Sequence, residues 1–331
     1  MSKTTRVCAT TARWPLAVAA CSVFFAACDG DERPQSAKKP PSAPELKINV
    51  AANDPTSASP FDATPSPNGE MVYYTALSED STGAKIPGVF KVPAAGGAIE
   101  TLATGTSLEA PTNITIGMDG NALYVADPGA STGGALLSVS AAGGLVSEVA
   151  GTSGYSPTGI VVAKVNEQER IYFTGYDPAT REPGLYTVSP SGGDVAVVAH
   201  GAPFADPGGV AVTASGDAYV ADGLAGNGSA SVIKVTEGQA TQFIAGIGVG
   251  FPAGITTTRD DSTLVVSGLD PVTRRDVVYF VNVATREVSV LTDPVNAFHE
   301  SAGLHRAHET NVFAWADSEA NGSGTVYVLK P

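Results

Sequence analysis

The sequence predicts an all-β fold: a six-bladed β-propeller of four-stranded antiparallel blades, with the last blade closed by the N-terminal strand. Three observations predict it. The first is composition, since 37 Gly and 23 Pro in 331 residues, with only 16% charged side chains, suit many short strands joined by tight turns. The second is a repeat whose opening motifs stand 51, 46, 50, 45 and 49 residues apart. The third is a pair of defects, one near each end of the chain, that cancel only if a ring closes.

The chain opens with a segment that does not belong to the fold. Residues 1–27 read as a lipoprotein signal peptide: Lys3, Arg6 and Arg13 make a basic start, and Trp14 to Ala27 is almost wholly apolar. That run of 14 residues is shorter than the ~20 of a spanning helix, and an uncleaved anchor is the alternative. Phe25-Ala26-Ala27-Cys28 resembles a bacterial lipobox, with Phe where Leu is usual, so lipidation is expected on Cys28. Cys21, after Ala19-Ala20, has a shorter apolar run before it. With Cys8 and Cys21 in the signal and Cys28 lipidated, no thiol remains in the folded part. Disulfides, zinc–thiolate sites and cysteine nucleophiles are thereby excluded. Residues 28–44 are polar and Pro-rich and read as a disordered tether, leaving 45–331 for the propeller.

Removing the three basic residues of the signal leaves 16 basic against 33 acidic side chains, a mature net charge near −17. Such a surface repels phosphate backbones, so no nucleic-acid partner is expected. Membrane contact is assigned to the lipid on Cys28, and a monomer is expected.

Each repeat begins with a Pro-x-Gly-aliphatic motif. It stands at Pro157-Thr158-Gly159-Ile160, Pro207-Gly208-Gly209-Val210 and Pro252-Ala253-Gly254-Ile255, with looser copies beginning at Pro60, Pro111 and Ser301. A first strand and a turn such as Met118-Asp119-Gly120-Asn121 follow. Then come a second strand (MVYYTA, ALYVAD, RIYFTG, DAYVAD, LVVSG, VFAWAD) and a third (GVFKV, LLSV, GLYTV, SVIKV, VVYFV, TVYVL). Gly-rich turns lead to a fourth, as hairpin chemistry requires. The sixth repeat ends after its third strand, and Leu46 to Val50 supplies the missing one from the other end, removing an exposed edge. Second strands end alternately in Thr/Ser-Ala/Gly and Ala-Asp, so a two-blade unit is used three times.

The opening motif with its YVAD strand resembles the NHL-repeat propellers and their gluconolactonase-like (SMP-30-like) and streptogramin-lyase-like relatives, over about residues 45 to 331. The resemblance implies the fold; these propellers host unrelated activities. The lactonase-like members hold a divalent ion through a Glu and Asn/Asp set, and that full set is not found here. The catalytic histidine pattern of the lyases is not matched either.

Candidate binding residues follow from the repeat. Asp62 and Asn113 replace the motif glycine in adjacent blades, at the mouth of the central channel, while Asp206 and Glu300 precede their motifs and should rim the same face. Together they are candidates to coordinate Ca²⁺ or another divalent ion, or to hydrogen-bond a sugar; the alternative is a solvated mouth of ordinary turn residues. Of His299, His305 and His308, the alignment brings only His305 near Asp62 and Asn113, as a candidate metal ligand or general base. Asp127, Asp222 and Asp317 end second strands, too far apart for one ion, and are expected to cap the following loop as Asx turns. No P-loop or nucleophile elbow is present. The leading expectation is a non-enzymatic binding module for a protein or glycan at the bacterial cell envelope, on its periplasmic or outer face. The alternative is a divalent-metal-dependent hydrolase or lyase, and a purely structural scaffold is a third.

Overall fold

The computed structural model describes residues 46–54, 57–105, 107–226, 230–291 and 298–331. The signal, Cys28 and the tether lie outside the described residues. Within them the protein is all-β, a propeller-like arrangement of small antiparallel sheets, and no α-helix occurs among the described residues.

After β1 (Lys47–Ala52) come β2 (Ala58–Pro65), β3 (Met71–Glu79), β4 (Lys85–Pro93) and β5 (Glu100–Thr104), an up-and-down antiparallel run. The run recurs in β6 (Asn113–Ile116), β7 (Ala122–Asp127), β8 (Ala135–Ser140) and β9 (Ser147–Glu148). It recurs again in β10 (Gly159–Val165), β11 (Gln168–Tyr176), β12 (Pro183–Val188) and β13 (Ala196–His200). The next set is β14 (Pro207–Val212), β15 (Ala218–Asp222), β16 (Ser231–Thr236) and β17 (Gln239–Ala245). Then follow β18 (Gly254–Thr257), β19 (Thr263–Leu269), β20 (Asp276–Asn282) and β21 (Val288–Leu291). The final set has only β22 (Ser301–Arg306), β23 (Phe313–Asp317) and β24 (Thr325–Lys330) of its own. β1 completes it, pairing antiparallel with β24 from Lys47 opposite Lys330 to Val50 opposite Tyr327.

Burial explains why the second strands read as unbroken apolar runs rather than alternating ones. β15 and β23 are buried at every residue, because each faces a neighbouring sheet on both sides, whereas the outer strand β21 is mostly exposed. Aromatic side chains fill the gaps between sheets. Trp315 stacks on Tyr327 at 5.2 Å, and Phe298 meets both edge-on, which fastens the last set where the chain ends meet.

One departure from six separate sheets is found. The first and last sets are one eight-stranded sheet, because Asp62 and Ala63 pair in parallel with Gly303 and Leu304. The first strands pack in a closed cycle: β2 on β6, β6 on β10, β10 on β14, β14 on β18, β18 on β22, and β22 on β2. This crowding accounts for the motif glycine. A side chain at Gly159 would collide with the Gly208 carbonyl, and one at Gly303 would occupy the space of the Asp62 carboxyl.

Candidate functional site

Asp62 is the residue where most threads meet. It is fully buried on β2 in the position that is glycine in four other sets. Its Oδ1 accepts the N–H of Ala63 at 2.7 Å. Its Oδ2 accepts the N–H of Ile114 on β6 at 2.7 Å and the Nε2–H of His305 on β22 at 2.9 Å. One carboxylate thus ties three neighbouring first strands together, with charge-assisted bonds of the stronger kind. Asn113, also buried, turns its Nδ2 back to the Thr112 carbonyl at 3.0 Å. That carbonyl corresponds to those of Gly208 and Ala302, each held by the hydroxyl of Thr174 or Ser267 from the preceding set. In the first set the equivalent hydroxyl, Thr75 Oγ1, is buried without a partner.

The four polar residues predicted to share a mouth are therefore separated into two pairs. Asp62 and Asn113 are buried between strands, whereas Asp206 and Glu300 are exposed on loops. Asp206 accepts a long bond from the Tyr176 hydroxyl at 3.4 Å, and Glu300 accepts one from Ser318 at 3.2 Å. Among the described residues no three His, Cys, Asp or Glu side chains converge as metal ligands. A calcium ion needs six or more oxygens, and both oxygens of Asp62 are already engaged inside the packing, so Asp62 and Asn113 do not fit a divalent ion.

Histidine placement is as dispersed as the repeat implies. His299 is exposed in the loop before β22, where its backbone N–H reaches Asp317 at 2.8 Å. His308 lies past the other end of β22, donating from Nε2 to the Ile116 carbonyl at 2.9 Å, and burial lowers its pKa. His305 lies between them, its ring held by Asp62 and bordering a cavity at the far ends of the first strands.

Asp127, Asp222 and Asp317 are each fully buried and each accept four backbone N–H groups. Two come from the loop that follows: Gly129 and Ala130, Leu224 and Ala225, Glu319 and Ala320. The other two come from the loop that leads into the same set's first strand: Glu109 and Ala110, Ala205 and Asp206, His299 and Glu300. The Asx-turn half was readable from Asp at a strand end; the second pair depends on a contact 16 to 18 residues back.

Two cavities flank the first strands. One, of about 300 Å³, opens where those strands begin, lined by Val249, Phe251, Pro252, Pro207 and Leu269 with Asp206 at its edge. Phe251 is 77% exposed there. The other, of about 260 Å³, lies at the opposite ends and is bordered by His305, Arg306, His308, Lys164, Arg259 and Asp261. Neither Asp62, Asn113 nor Glu300 lines either cavity.

No family model matches the chain, and no curated protein sequence does. Solved structures do. A nidogen/laminin complex gives a TM-score of 0.57 at 16% identity, over 75% of this chain and 84% of that one. A TolB-type protein of Agrobacterium tumefaciens gives 0.59 at 14% identity, over 86% and 98%. A gluconolactonase of Xanthomonas campestris gives 0.53 at 14% identity, over 86% and 96%. These neighbours are β-propeller proteins. The likeness is one of fold.

Sequence reasoning missed Phe251, Arg306 and Asp276. Signals existed for the first two: Phe251 is an aromatic residue directly before a motif proline, and Arg306 is one of only two basic residues within the first strands. Asp276 carried none, since its environment comes from Asp317, Glu300 and Ser301 of the next set.

Proposed function

We propose that this chain is a six-bladed β-propeller lipoprotein of the bacterial envelope that binds a protein or glycan partner through its opening-side groove. The closed cycle of first strands supports the six-blade count, with the eight-stranded sheet taken as two blades joined through Asp62. The observation that carries the binding reading is Phe251. An exposed aromatic ring beside Val249, Pro252 and Leu269, with one carboxylate, Asp206, at the edge, is the make-up of a recognition surface. Of the candidate carboxylates, Asp62 is spent on two backbone amides and the His305 ring, while Asp206 and Glu300 accept hydroxyls. Lipid on Cys28 and the polar tether would present this face to neighbours in the envelope.

The competing reading, a hydrolase or lyase of the lactonase-like type, rests on His305, whose ring borders a cavity while Asp62 holds its Nε2. A photo-crosslinking residue placed at Phe251 in living cells separates the two. A discrete adduct from position 251, absent from a control at Leu145, which is 91% exposed on a distant turn, is the expected result. Identical patterns at both positions would count against the groove. Metal-stimulated lactone hydrolysis by the purified protein, abolished in His305→Gln, would favour the enzyme.

A further inference from the structure

We propose that the cavity at the far ends of the first strands binds a small oxyanion, a carboxylate or phosphate group, with Arg306 as its anchor. This site is separate from the groove around Phe251 and does not depend on it.

The chain carries a formal charge of −14, yet the walls of this cavity gather Lys164, Arg259 and Arg306 against one carboxylate, Asp261. Arg306 is the unusual member. Its Nε donates to the Thr257 carbonyl at 2.7 Å, and its Nη1 reaches the carbonyls of Ala307, His308 and Thr310. All of these acceptors are neutral. No carboxylate among the described residues forms an ion pair with it. Burial lowers its pKa, which reflects a cation drawn out of water without an opposite charge in contact. Asp261 and Asp260 act on it only at a distance, opposing that shift without forming an ion pair, and the two oxygens of Asp261 accept from Thr257 Oγ1 and the Ala214 N–H at 2.9 Å each.

Nη2 of Arg306 donates to none of the described residues, so the guanidinium is fixed by its carbonyl partners with one donor edge unspent. A cation oriented in this way and partly desolvated attracts an anion more effectively than a mobile surface lysine would. Arg259, exposed on the turn after β18, adds a second positive charge at the mouth. Lys164 is partly answered by Glu167 at 2.6 Å. Glu169, bonded to the Met118 N–H at 3.0 Å, together with Asp260 and Asp261, are the negative groups that set the limit of the field. The hydroxyl of Thr256, also in the walls, completes a surface that suits a compact anion rather than a chain.

Calorimetric titration of the purified full-length protein with inorganic phosphate, and separately with citrate, tests this, with ionic strength held constant by chloride. Saturable binding of at least one is expected, and which of the two binds tells phosphate from carboxylate. Arg306→Gln should weaken it roughly tenfold or more, as loss of a charge-assisted bond does. Arg259→Ser, an exposed change that leaves the packing alone, should weaken it a few-fold, and Asp261→Asn should strengthen it. If Arg306→Gln does not fold, the opposite shifts of the other two variants decide the matter. Absence of saturable binding to both anions overturns the proposal, as does binding that none of these substitutions alters.

Discussion

Asp276 stands at the head of β20, where burial raises its pKa from 3.8 to about 6, opposed by the Ser301 N–H and assisted by Asp317 and Glu300. The folded protein therefore holds this proton more tightly than the unfolded chain does. Its contribution to stability is full below 3.8 and is lost as pH rises through about 6. Because the side chain is only half-buried, the cost of ionising it is on the order of 1 kcal/mol once screening is allowed for. Asp276→Asn should accordingly melt at a higher temperature than the parent near pH 7, and the two should converge near pH 4. A variant that melts lower at neutral pH would refute this account of Asp276. At this scale the sequence was informative where a residue broke a pattern, as Asp62 does by replacing a glycine. It was silent where the environment comes from another repeat, as with Asp276.

Loops and strands show the same division. Asp177 and Asp270 cap their turns through Oδ1, as Asp-Pro-x-Thr-Arg implies, by accepting two N–H groups each. A third copy begins at Asn282, whose Oδ1 accepts from Ala284 and Thr285. The arginines that follow, Arg181, Arg274 and Arg286, all adopt positive φ near 60°. Two of them lie over aromatic rings, Arg181 over Tyr176 and Arg286 over Phe243, rather than meeting carboxylates. Asp222 does more than a turn cap, since it also holds the Ala205 and Asp206 amides. Asp222→Ala would remove the buried acceptor of four part-buried backbone donors and should cost about 2 to 4 kcal/mol in denaturant unfolding. Asp177→Ala, on a surface turn where the side chain caps only two N–H groups, should change stability little by comparison. Equal effects would mean that the double clamp contributes nothing beyond its turn.

For the whole molecule, repeat length, turn chemistry and the two incomplete ends make the ring legible in the sequence. The fusion of the first and last sets was not legible, because the parallel pairing of Asp62 with Gly303 joins residues far apart in the chain and has no periodic trace. Nor was the distribution of polar groups between the two mouths, which depends on which side of each first strand faces inward. The account rests on a ring that β1 closes by pairing with β24 while burying Ala51 and Ala52. Thermal unfolding of a chain lacking Leu46 to Ala52 tests that most directly. Loss of this strand exposes the β24 edge and the Trp315–Tyr327 cluster, so the transition should fall by many degrees and lose cooperativity. A melting curve that coincides with that of the intact protein would contradict the closed ring.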